Sequence, residues 1–90
     1  MKLIYCPTCK DIFRLTKRER TCRCGRSSGY LLKDGITARI NDYAVPLGMS
    51  DRSIGMASAA YIYKSKKITP VDVWVYPKDD PNIKVEPDVL

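Results

Sequence analysis

CPTCKDIFRLTKRERTCRCG, residues 6–25, contains every cysteine of the ninety-residue chain. Cys6 and Cys9 form a C-x2-C pair, Cys22 and Cys24 a C-x-C pair, and twelve residues separate the two. That spacer is long enough for a strand running out and a strand running back, so KDIFRLTKRERT reads as a β-hairpin that brings the pairs together. Ile12, Arg14 and Thr16 fall on one face of the outgoing strand 12–16 and Phe13 and Leu15 on the other; KRER at 17–20 is the polar link back to Cys22.

Four sulfurs presented from two turns are the donor set of tetrahedral Zn²⁺, with Zn–S bonds of about 2.3 Å. The same set would also serve two disulfides or a single iron ion. Disulfides are disfavoured by compartment. The N-terminal MKLIYCPTCK has no apolar run of signal-peptide length and no segment approaches membrane-spanning length, which points to a reducing cytoplasm. A zinc ion held by Cys6, Cys9, Cys22 and Cys24 is expected to be structural, one per chain. Four thiolates leave no position for water, and the chain has no histidine to act as a general base. The Asp, Glu, Ser, Lys and Tyr residues fall in no catalytic constellation, so an enzyme is not expected.

Working outward, a chain of this size makes one domain whose core is marginal without a metal, a disulfide or a partner. Its 44% hydrophobic and 29% charged content is that of a folded globular chain. KLIY at 2–5 reads as a strand entering the first cysteine pair. YLLK (30–33), DG (34–35) and ITARI (36–40) read as a hairpin, with Ile36, Ala38 and Ile40 on one face. VPLG at 45–48 reads as a break. Ser50 is a helix N-cap with Asp51 in the first turn, and Ile54, Ala57 and Tyr61 recur at helical spacing; Gly55 and AYIY at 60–63 leave a strand open as the alternative. VDVWVY at 71–76 is a strand with Val71, Val73 and Val75 facing the core and Asp72, Trp74 and Tyr76 on the other side. The expected architecture is a small β-rich α+β domain over 1–78, with one short helix around 51–63 and a late strand at 71–76. An extended acidic tail follows at 79–90, unless Ile83, Val85 and Leu90 dock.

CPTC…CRCG resembles a zinc ribbon, in which two cysteine-bearing turns clamp one Zn²⁺ at the end of a small antiparallel sheet. The resemblance covers residues 3–35. MKLIYCPTC, CRCGRSSGY, DGITARI, AVPLG and VWVYP are together similar to small uncharacterised zinc-ribbon proteins of bacteria and their phages, a resemblance that implies no established function; an accessory role in a bacterial or host cytoplasm is expected by analogy alone. One departure is plain. Gly25 follows Cys24 as in a zinc-ribbon turn, but Lys10 stands where glycine usually follows the first pair.

Arg14, Lys17, Arg18, Arg20, Arg23 and Arg26 crowd the cysteine stretch. They suit phosphate contacts with DNA or RNA, and equally they suit a solvated surface beside an anionic metal site. Residues 1–35 carry nine Lys/Arg against three Asp/Glu (+6), residues 36–70 five against two (+3), and residues 71–90 two against five (−3). Four thiolates and one Zn²⁺ add −2, which lowers the chain from +6 to +4 and moderates any attraction to nucleic acid. Phe13 and Tyr30 could stack on bases but suit a core better. Met49 and Met56, seven apart, lie on one side of a helix and suit packing. Trp74 and Tyr76 are the candidate protein-contact residues, provided their face is uncovered. The expectation is a non-enzymatic zinc module acting through a protein partner, with nucleic-acid binding as the alternative and neither membrane nor small-molecule substrate indicated.

Overall fold

Short apolar runs, each bounded by turn residues, pair into two four-stranded sheets. The computed structural model describes residues 1–86. Strands β1 (Lys2–Tyr5), β2 (Ile12–Arg14), β3 (Arg20–Thr21), β4 (Ser28–Leu31), β5 (Ala38–Asn41) and β6 (Val45–Met49) precede helix α1 (Asp51–Ile62). Strands β7 (Val73–Val75) and β8 (Ile83–Glu86) follow it. One sheet runs β2-β1-β6-β7 and the other β3-β4-β5-β8. All pairings are antiparallel except β5 with β8. The core lies between the sheets: Ile4, Phe13 and Leu15 come from the first, and Ala38, Ile40 and Ile83 from the second.

The stretch between the cysteine pairs is not a hairpin, contrary to its sequence reading. β2 turns back onto β1, with Ile4 opposite Phe13, while β3 pairs with β4. Each cysteine turn is itself the tight turn of a hairpin, so the strand leaving a pair returns along the strand that entered it. The chain crosses from one sheet to the other at 15–16, where Leu15 N–H donates to the Lys2 carbonyl and Leu31 N–H to the Thr16 carbonyl, at 2.9 and 2.7 Å. The expected facing survives: Phe13 and Leu15 are buried and Ile12 is exposed.

VPLG forms a strand rather than a break. The Pro46 carbonyl accepts from Tyr76 N–H at 3.0 Å. In an antiparallel ladder a residue's N and O point to the same neighbour, so the N–H that Pro46 lacks is missing only at the end of the β6–β7 ladder. Residues 51–62 are helical. Ser50 caps the helix by accepting Ser53 N–H on Oγ at 3.1 Å, which satisfies one of the first-turn donors.

β7 is shorter than expected and its faces are reversed. Trp74 and Tyr76 lie on the side that faces Gly48, where Tyr76 packs against the core cluster while Trp74, over Gly48, stays 42% exposed. Val73 and Val75 are 50% and 64% exposed on the outer face. Alternation of side chains is symmetric, so it reports two faces without saying which is covered.

Residues 83–86 correct the reading of 79–90 as a tail. Asn82 carbonyl accepts Ala38 N–H at 2.8 Å, Ile83 is buried, and Val85 packs against the core cluster. Two apolar residues at period two, bracketed by Pro81 and Pro87, are enough for a short strand. Leu90, the third residue named for docking, lies outside the described residues. No helix among the described residues is long and apolar enough to cross a membrane.

Candidate metal centre

β1 delivers Cys6 and Cys9 from the first sheet, and β3 delivers Cys22 and Cys24 from the second. In the first turn Cys6 N–H donates to the Asp11 carbonyl and Lys10 N–H to the Cys6 carbonyl, both at 2.9 Å. Lys10 takes φ +62°, the left-handed conformation that glycine usually occupies. In the second turn Cys22 N–H donates to the Ser27 carbonyl at 2.8 Å and Gly25 N–H to the Cys22 carbonyl at 3.1 Å, with Gly25 at φ +83°.

The four sulfurs converge. All lie within 4.8 Å of one another, with Cys6 to Cys24 at 3.6 Å and Cys22 to Cys24 at 3.5 Å. A tetrahedron with metal–sulfur bonds of about 2.3 Å has edges of about 3.8 Å. The cluster is therefore already close to the dimensions a metal requires. Cys6 and Cys22 are buried, Cys9 is half-buried and Cys24 is exposed, so one corner reaches the surface.

The surroundings are built for sulfur that carries charge. Burial pushes the Cys6 thiol up, but the backbone amides of Cys9 and Thr8 and the Ser27 hydroxyl outweigh it and hold the group at about 6. Burial likewise raises Cys22, and Ser27 N–H, 3.3 Å from its sulfur, is among the donors that bring it below the ordinary thiol value. At Cys24 the Arg26 amide lowers the value, but burial and the three neighbouring sulfurs push it up to about 11. Four thiols this close cannot all ionise without a cation among them. Ser27 is fully buried, and beyond its approach to Cys6 its hydroxyl has no hydrogen-bond partner among the described residues. A donor left over beside Cys6 fits a thiolate–metal cluster, and the donor set suits Zn²⁺.

Residues outside the cysteines brace the two turns. Arg23 spans them, its N–H on the Asp11 carboxylate and its guanidinium on the Cys9 carbonyl, both at 3.2 Å. The Thr8 hydroxyl meets the Tyr43 hydroxyl, and the Arg26 guanidinium lies 5.7 Å from the Tyr43 ring centre. Asn41 accepts Ser28 N–H and donates to the Arg26 carbonyl. Asp11, Ser27, Asn41 and Tyr43 were not legible as site residues. Only Asp11 lies between the cysteine pairs, and the others reach the site through folding.

The six basic candidates, Arg14, Lys17, Arg18, Arg20, Arg23 and Arg26, are all exposed. Three are engaged within the chain: Arg23 as above, Arg26 on Tyr43, and Arg20 over the Phe13 ring at 5.1 Å. The side chains of Arg14, Lys17 and Arg18 form no ion pair among the described residues. Phe13 is core, as expected, and Tyr30 is half-buried. Trp74 and Tyr76 stand apart from the cysteines as a T-shaped pair, ring centres 6.2 Å apart. Compared with family models, with curated proteins and with solved structures, the chain matches none.

Proposed function

We propose that this chain is a structural zinc-thiolate module of zinc-ribbon type that acts by binding a protein partner. One observation carries the metal reading: two pairs of cysteines from two different sheets bring four sulfurs within 4.8 Å of one another. Zinc at that point links the sheets, which a core of this size needs. The protein-partner reading draws on the exposed apolar surface of β7 and α1. It is consistent with an accessory role in a reducing cytoplasm, as in the bacterial and phage zinc ribbons that its motifs resemble. Metal analysis of protein purified without added zinc should return one Zn²⁺ per chain, and chelation should unfold the domain. A protein that carries no metal and stays folded in chelator would overturn the reading.

Nucleic-acid binding is the second reading, favoured by Arg14, Lys17 and Arg18, which are exposed and form no ion pair among the described residues. It requires affinity for DNA or RNA that falls steeply with salt and is lost on Arg18→Glu with Arg20→Glu. Absence of binding at low salt removes it.

A further inference from the structure

The four cysteines of the metal centre are not equally protected. Cys6 and Cys22 are buried and Cys9 is half-buried, whereas Cys24 is exposed. Beyond its chain neighbours, nothing among the described residues lies within 4 Å of a Cβ placed on the adjacent Gly25. The flank of Cys24 is therefore open, and a small solute in solvent meets this corner of the site first.

Cys24 also touches sulfur from both turns. It lies 3.6 Å from Cys6, on the turn of the first sheet, and 3.5 Å from Cys22, in its own turn. The two contacts differ as places for a covalent bond. Cys22 and Cys24 enclose a single residue, Arg23, in a turn fixed by Cys22 N–H on the Ser27 carbonyl, Gly25 N–H on the Cys22 carbonyl and Arg23 N–H on the Asp11 carboxylate. A disulfide holds its Cβ–S–S–Cβ dihedral near a right angle, which strains a ring built around one residue of a fixed turn. Cys6 and Cys24 stand 18 positions apart and approach from separate hairpins. Closure to a bond of about 2.0 Å is then shared between two turns.

We propose that Cys24 is an oxidation site: hydrogen peroxide oxidises it first, Cys6 captures the product as a disulfide, and the metal leaves. The inference rests on the zinc reading of the four cysteines and adds a means of regulating that site. The Cys24 sulfur attacks one peroxide oxygen, forming an S–O bond as the O–O bond breaks and hydroxide departs. The Cys6 sulfur then attacks the Cys24 sulfur, forming the S–S bond as the S–O bond breaks and a second hydroxide departs. Two thiolates give up two electrons, the peroxide accepts them, and two protons from solvent complete two waters.

Cys9 and Cys22 stay reduced, but two sulfurs are half the set of a closed tetrahedral site, so Zn²⁺ is released. Release does not part the sheets. Cys6 belongs to the hairpin of β1 and β2 in one sheet, and Cys24 to the hairpin of β3 and β4 in the other. The disulfide therefore joins the same two turns that the metal joined. Oxidised protein stays folded without metal, whereas protein kept reduced unfolds when the metal is withdrawn.

The test treats the zinc-loaded full chain with hydrogen peroxide and follows released Zn²⁺ with a chromogenic chelator. Differential alkylation and mass spectrometry then identify which cysteines are joined, and circular dichroism follows the fold. Zinc should appear in step with peroxide consumed, and the first linked peptides should join Cys6 to Cys24. A dithiol with added Zn²⁺ should restore the loaded protein. Cys24→His keeps a metal donor at the open corner and removes its oxidisable sulfur, so zinc release should slow roughly tenfold or more. Should that variant hold no zinc, the wild-type mapping decides alone. A first bridge between Cys22 and Cys24, or between any other pair, overturns the proposal. Release as fast from zinc-loaded Cys24→His as from wild type overturns it too, as does unfolding of the bridged protein. A zinc-loaded protein indifferent to peroxide removes this inference only, whereas reduced protein that binds no Zn²⁺ removes the zinc reading itself.

Discussion

Gly48 lies directly opposite Trp74 across the β6–β7 ladder, and the indole fills the space that a side chain at 48 would occupy. A Cβ there would fall 2.2 Å from the indole Nε1 and 2.3 Å from Cε2. Gly48→Ala must therefore push the ring aside. The expected loss is about 1–3 kcal/mol in chemical denaturation, with a red shift of tryptophan emission. In a Trp74→Ala background the same substitution should cost much less, which a double-mutant cycle measures.

Lys10 holds a left-handed backbone conformation at φ +62° in the first cysteine turn. A side chain costs about 1–2 kcal/mol there, and glycine removes that cost. Lys10→Gly should raise the melting temperature of the metal-loaded protein by a few degrees, and Lys10→Val should lower it.

Ser27 places a buried hydroxyl beside Cys6 with no other partner among the described residues. Ser27→Ala removes a donor to the thiolate without altering the four ligands. Competition with a chromogenic chelator should show metal affinity reduced about tenfold, with stoichiometry unchanged.

Ile83 is 4% exposed in β8. Ile83→Ala should cost about 2–4 kcal/mol in urea unfolding, whereas a residue of a free tail would cost nothing measurable.

Asp34 accepts from the Thr37 hydroxyl at 2.6 Å and from the Ile36 and Thr37 amides at 2.9 and 2.8 Å, which lowers its carboxyl to about 2. In the unfolded chain the group titrates near 3.9. A depressed native value means stabilisation that is full above about pH 4 and disappears as pH falls toward 2. The stability difference between wild type and Asp34→Asn should be constant near neutrality and shrink through that window. Acid release of metal is common to both proteins and cancels in the difference.

The cysteine cluster, the Phe13/Leu15 face and the Ser50-capped helix were legible because each depends on residues close in sequence. Pro46 and the 83–86 strand were not. Whether a proline can sit in a strand depends on which edge its nitrogen faces, and β8 exists only because β5 offers it a ladder. The exchange of faces at Trp74 has the same origin, since Gly48 supplies the indole's seat from a different strand. The basic residues were visible as a cluster, yet their contacts with Phe13, Tyr43 and the Cys9 carbonyl arise only when the two hairpins meet.

The parallel pairing of β5 with β8 sets an order on vectorial synthesis. All four sulfurs have been made once residue 24 leaves the ribosome, so a metal can seize the two hairpins early. Ala38 and Ile40 must wait on one side until residues 83–86 emerge. Closing that long loop is the slow, entropically costly step. A nascent chain stalled after β7 would therefore have its four sulfurs in place and still expose the floor of its core, which makes the last strand the point at which release becomes safe.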